Sequence, residues 1–126
     1  MKTSKTKKAG TTESEKIVKS AVLGLQEKKG EDILIMDLRN SKNAVADFFV
    51  LATGNSRTQV EALARSVDET IFKDLAEDPW HIEGKINSEW VLIDYVSVVV
   101  HVFQQDSRSF YNLEKLWGDA EFTHIK

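Results

Sequence analysis

The sequence predicts an α/β fold, a single-domain sandwich in which helices lie against a mixed sheet of about five strands. Three observations carry that reading. Apolar residues recur every three or four positions in three stretches, the spacing of a helix with one buried face. Between them stand short runs rich in β-branched and aromatic residues, such as VADFFVLAT and VSVVVHVF. With 126 residues, 41% of them hydrophobic, the chain can fill one core but not two ordinary ones.

The first helix begins after Thr12. Ile17, Val18, Ala21, Val22 and Leu25 fall on one face, and Thr12 with Glu15 has the spacing of a capping box. Gly30, after Lys28 and Lys29, supplies a stop. Asp32 to Leu38 reads as a strand, the segment 39–43 as a turn, and Val45 to Thr53 as a second strand. Ser56 to Leu75 is the longest helix, with Val60, Leu63, Ala64, Val67, Ile71 and Leu75 on its stripe. The single proline, Pro79, marks a place where that helix has already ended. Three strands follow, Trp80 to Glu83, Trp90 to Tyr95 and Ser97 to Phe103. A last helix runs from Asp106 to Trp117, with Phe110, Leu113 and Trp117 on one side.

The central strands are apolar at both alternating sets of positions, which calls for cover on both faces. Five strands at ~4.8 Å make a sheet roughly 20 to 25 Å wide, and a helix covers ~10 Å, so two covered faces need about four helices. Two long helices and one short one are available, so part of one apolar face is left for a partner or a second copy of the chain.

The formal net charge of -3 hides an asymmetry. Lys2, Lys5, Lys7 and Lys8 are four of the 17 basic residues and lie in the first ten positions, which hold no acid, so thirteen bases face 20 acids from Thr11 onward. Residues 1–12 therefore read as a disordered basic tail, 13–122 as the domain and 123–126 as a C-terminal tail. An acidic body disfavours direct, sequence-specific binding of nucleic acid and suits a basic protein partner. The chain has no cysteine, which removes disulfides, thiolate metal sites and cysteine nucleophiles. No apolar run reaches the ~20 residues of a membrane span, and MKTSKTKKAG has no apolar segment behind it. The expected location is the cytoplasm.

Two readings compete at ATGNSRTQV, residues 52–60. A strand, a glycine turn and a helix start make an anion site when backbone N–H groups are left free. Ser56 and Gln59, however, have capping-box spacing, which explains these residues without a ligand. The phosphate reading would also need paired strand carboxylates for divalent metal, and Asp37, Asp47 and Asp94 stand singly on different strands. His81, His101 and His124 show no zinc spacing. Neither a G-x-S-x-G elbow nor a Ser-His-Asp set is legible. No catalytic residue, cofactor or metal is therefore expected. The C-terminal half instead interleaves aromatics with acids, a composition suited to an interface.

WVLIDYVSVVVHVF, followed by SRSFYNLEKLWGDAEF, resembles the ribosomal silencing factor family, also called Iojap-like or RsfS proteins. ADFFVLATGNSRTQVEALA and PWHIEG agree, and the resemblance runs from Glu13 to Phe122. It implies a nucleotidyltransferase-like topology without that chemistry, hence no enzyme. It implies binding to the large ribosomal subunit through its fourteenth protein, uL14, which blocks joining with the small subunit and represses translation when nutrients are scarce. It also implies homodimers, and large-subunit assembly in organelle relatives. Interface roles carry over to Trp80, Glu83, Asp94, Tyr95, His101, Tyr111, Glu114 and Trp117. The family's usual Gly-Asp before the valine run is Val96-Ser97 here, which removes a carboxylate worth ~1.5 to 3 kcal/mol where it makes a charge-assisted contact.

Overall fold

Capping chemistry and one close helix contact set the positions of the two long helices. In the computed structural model, which describes residues 12–111 and 113–125, α1 spans Glu13–Glu27. The Thr12 side chain accepts from the Glu15 N–H (3.1 Å), and the Glu15 carboxylate accepts from the Thr12 N–H (2.9 Å), closing the expected capping box. At the other end the Leu25 carbonyl accepts from the Gly30 N–H and the Gln26 carbonyl from the Lys29 N–H, a Schellman arrangement. Its left-handed residue is Lys29, at φ 61, rather than the glycine. Gly30 serves by its size, because a Cβ there would lie 3.1 Å from a Leu63 methyl.

β1 (Glu31–Asp37) and β2 (Phe48–Gly54) follow. α2 (Arg57–Leu75) then returns antiparallel to α1, with Ser20 donating to Asp74 (2.9 Å). The two helices meet at Gly24, whose carbonyl accepts from the Ser66 hydroxyl (2.7 Å). A Cβ on Gly24 would lie 2.9 Å from the Ser66 carbonyl oxygen. Past α2 come β3 (His81–Glu83), β4 (Trp90–Asp94), β5 (Val98–Gln104), α3 (Gln105–Tyr111), α4 (Leu113–Leu116) and β6 (Glu121–His124). The expected last helix is thus two segments on either side of residue 112, and Trp117 lies in the turn beyond them.

The sheet has six strands in the order β3-β4-β5-β2-β1-β6; β2 and β5 pair in parallel and the other neighbours antiparallel. The strand that sequence patterning missed is β6, where Phe122 pairs with Met36 and His124 with Leu34. Thr123 and His124 therefore belong to the sheet. All four β6 residues are exposed, so no apolar alternation marks them. Val45 to Asp47, read as strand, precede β2 as bends.

β2 is buried throughout and β5 in six of its seven residues, as their two-sided apolar pattern requires. On one face α1 and α2 pack Ala21, Leu25, Leu63, Val67 and Ile71 against Val50, Val100 and Val102. The other face gathers Leu34, Met36, Phe49, Leu51, Val99 and Phe103 under Leu113.

Val96 sits in the turn joining β4 to β5 with φ 74. The Ser97 N–H donates to the Tyr95 carbonyl (2.9 Å), a three-residue turn centred on Val96. A β-branched residue is strained at positive φ, so the glycine usual in the resembled family has a backbone reason.

Candidate protein-docking site

Two-residue periodicity aims Trp90, Leu92 and Asp94 of β4 at the face away from α1 and α2. Register extends this face into rungs. Glu83 lies opposite Leu92, and Leu92 opposite His101; His81 lies opposite Asp94, and Asp94 opposite Val99; Trp90 lies opposite Phe103. α3 lies over β5 and β2. β3 and β4 are left less covered, with Trp90 and Leu92 half-buried and the Trp80 side chain 75% exposed just before β3. A bare aromatic and aliphatic strip results, carrying the carboxylates of Glu83 and Asp94. Such a mixture of an aromatic anchor, apolar floor and rim charge is what protein docking uses.

Local bonds hold this edge. The Trp80 N–H donates to the Asp94 carbonyl (2.8 Å), and the Trp80 ring tilts against His81 at 5.8 Å. His81 Nε2 and a Glu83 oxygen are 2.6 Å apart. One Asp94 carboxylate oxygen accepts from the Val96 N–H (2.7 Å), so Asp94 also closes the strained turn.

Of the eight residues that the resemblance points to, the structure places Glu83 and Asp94 on one face, with Trp80 exposed just before β3 and its ring against His81. Glu114 and Trp117 lie on the neighbouring cover. Glu114 accepts from Arg108 at 3.5 Å, and the Trp117 ring meets Phe49 edge-on at 5.9 Å. Tyr111 is in α3, and its side chain lies outside the described residues. The remaining two are core residues. His101 is 3% exposed, and its Nδ1 accepts from the Trp90 indole N–H (3.0 Å). Burial pushes its pKa down to about 3, so the ring is neutral. Tyr95 is 7% exposed and packs in the cluster under α1 and α2, because one step past Asp94 the chain turns its side chain to the opposite face. Burial pushes the Tyr95 phenol up, and the charges of Asp68, Asp78 and Glu77 add to the effect.

Sequence reasoning passed over Leu92 and Arg108. Leu92 was findable, since WVLID puts Trp90, Leu92 and Asp94 on one side of a strand. Arg108 was not. Its guanidinium bonds the Asp32 carbonyl (2.6 Å) and the Thr53 hydroxyl (2.8 Å), pinning α3 to the ends of β1 and β2 through contacts more than 50 positions away in sequence.

The turn at residues 52–60 is a helix start occupied by its own side chains. The Ser56 hydroxyl accepts from the Gln59 backbone N–H (3.1 Å), while the Gln59 side-chain Oε1 accepts from the Asn55 N–H (2.6 Å), one residue before the position a capping box would use. The Gln59 side-chain Nε2 donates to the carbonyls of Lys28 and Lys29, tying α2 to the end of α1. Gly54 is needed for proximity, because a Cβ there would lie 2.9 Å from a Val60 methyl. Among the described residues, no three histidines or carboxylates are grouped to hold a metal ion. No helix among them is long and apolar enough to cross a membrane.

Comparison with known proteins gives this arrangement a family. Residues 11–126 match the model of the family described as ribosomal silencing factor during starvation, RsfS. The ribosomal silencing factor RsfS of Bacillus subtilis is 44% identical over 113 residues, covering 86% of this chain and 91% of that protein. A crystal structure of a protein from Chromobacterium violaceum superposes with a TM-score of 0.78 at 38% identity, covering 85% of this chain and 88% of that one. A mouse protein named for mitochondrial assembly of the ribosomal large subunit is 30% identical over 101 residues, covering 78% of this chain and 43% of that protein. The sheet with its two covering layers and the match over nearly the whole chain establish that this protein belongs to the ribosomal silencing factor RsfS family.

Proposed function

We propose that this protein represses translation by docking on the large ribosomal subunit through the subunit's fourteenth protein, holding the small subunit away. The observation that carries the reading is the incompletely covered β3–β4 strip, which bears Glu83 and Asp94 and has exposed Trp80 just before it, on a domain of net negative charge. Carboxylates beside an aromatic anchor suit the basic surface of a ribosomal protein. The mechanism is exclusion of volume in the cytoplasm during nutrient limitation, and it has no catalytic step and no cofactor.

The test is sedimentation of purified subunits with the protein, reading which subunit it accompanies and how much joined ribosome forms. Trp80→Ala and Glu83→Lys are the informative variants, because both residues are exposed and neither side chain bonds a backbone group among the described residues. Asp94 and Glu114 are poorer choices, since one holds the Val96 turn and the other meets Arg108. The expected result is co-sedimentation with large subunits, fewer joined ribosomes, and about 30-fold weaker binding for Trp80→Ala if it is a central anchor. Unchanged affinity in both variants would reject this surface. Binding without loss of joining would favour a second reading, assembly of the large subunit, which the name of the mouse relative supports.

A further inference from the structure

On the opposite side of the β3–β4 hairpin, α2 stands off from the sheet and leaves a cleft of about 180 Å³. Its floor is Ala64, Ile82, Val91 and Ile93. Its rim carries Glu61, Arg65, Asp68, Lys85 and Ser88. Glu61 is already engaged, bonding Arg57 and the Ser88 hydroxyl at 3.3 Å each. Arg65, Asp68 and Lys85 enter no ion pair among the described residues.

Two cations and one anion thus face a small apolar floor without closing on one another. Burial pushes the Asp68 carboxyl up, Asp78 adds repulsion, Lys85 pulls the other way and Glu69 repels again. The field of Lys85 reaches Asp68, yet no bond closes between them. A simple anion entering here would meet Arg65 and Lys85 favourably but add to the repulsion at Asp68. A simple cation would do the reverse. A molecule with an ammonium and a carboxylate on the same carbon satisfies both sides, and an aliphatic side chain would cover the floor. Size agrees, since a cavity near 150 Å³ accepts six-carbon benzene and this one, at about 180 Å³, holds about seven heavy atoms by the same measure, room for the aliphatic part with the charged groups at the open rim.

We propose that this cleft binds a free α-amino acid with an aliphatic side chain, its ammonium on Asp68 and its carboxylate between Arg65 and Lys85. The site lies on the Ile82 and Ile93 face of the hairpin, opposite Glu83 and Asp94, so it stands or falls separately from ribosome docking.

The test is a two-dimensional NMR titration of the full chain with L-leucine, leucinamide, which lacks the carboxylate, and 4-methylpentanoate, which lacks the ammonium. Expected are saturable shifts for L-leucine at Ala64, Asp68, Ile82 and Lys85, and roughly tenfold or weaker binding for either analogue, because each leaves a charged partner unmet. Asp68→Asn and Lys85→Gln should weaken L-leucine binding by a similar factor of about ten while retaining the wild-type circular dichroism spectrum. The proposal is overturned by any of three results: no saturable shift at ~20 mM L-leucine, well above an affinity of ~1 mM; equal binding of leucine and 4-methylpentanoate; or shifts confined to the Glu83 and Asp94 face.

Discussion

Replacing Val96 by glycine should make the protein more stable. Val96 holds φ 74 in its three-residue turn. A residue with a Cβ in this region carries ~1 to 3 kcal/mol of strain, and a β-branched one belongs at ~2 to 3. Two effects oppose the gain. Glycine widens the unfolded ensemble, at ~0.5 to 1 kcal/mol. The valine side chain also loses what burial it has, but at 63% exposure that is only ~0.5 kcal/mol. The difference is about 1 kcal/mol in favour of Val96→Gly, or roughly 3 to 6 °C in Tm for a chain of this size. Urea unfolding followed by circular dichroism measures it directly, and the m-value should stay constant because the exposed surface hardly changes. Val96→Ala is the control. It removes the branch and keeps the Cβ, so its stability should fall between wild type and the glycine variant. A Val96→Gly protein no more stable than wild type, at constant m-value, would refute the strain assigned to this turn.

Two further outcomes follow from the same geometry. Gly24→Ala places a methyl 2.9 Å from the Ser66 carbonyl oxygen, so α1 and α2 must separate; despite the better helix propensity of alanine, a loss of ~1 to 2 kcal/mol should appear in the same urea assay. His101 is held neutral by burial, with its pKa at about 3 against an unfolded value near the usual 6.5. The unfolded state therefore gains a proton first. The stability contribution is complete above pH ~6.5 and is lost as pH falls from there toward 3. A His101→Phe variant should show a shallower loss between pH 6.5 and 4 than wild type, and parallel curves would remove His101 as the titrating group.

The elements with local signals were legible from residues alone. Thr12 and Glu15 announce the start of α1 because a capping box needs only four consecutive positions. The two-sided apolar runs of β2 and β5 announce central strands. Those same runs, set against too few helices, also announced a face with missing cover, and half-buried Trp90 and Leu92 lie in it. The placement of the candidate interface residues was harder to read. Asp94 and Tyr95 are adjacent and equally plausible in sequence, yet strand pleating sends one to the bare strip and the other into the core. His101 resembles a polar contact in the text and is a buried acceptor for Trp90 in the fold.

Sequence by itself thus determined the α/β class, the helix and strand periods, the helix starts, the absence of cysteine chemistry and the family resemblance. Each depends on residue identity or on neighbours within about one turn. Tertiary structure alone decided that Glu121–His124 becomes a sixth strand, that Arg108 pins α3 to Asp32 and Thr53, and that Gln59 bonds the end of α1 as well as its own helix. It also decided which face each strand residue occupies. These outcomes depend on register and on contacts tens of residues apart, where a one-residue shift in pairing exchanges the core for the surface.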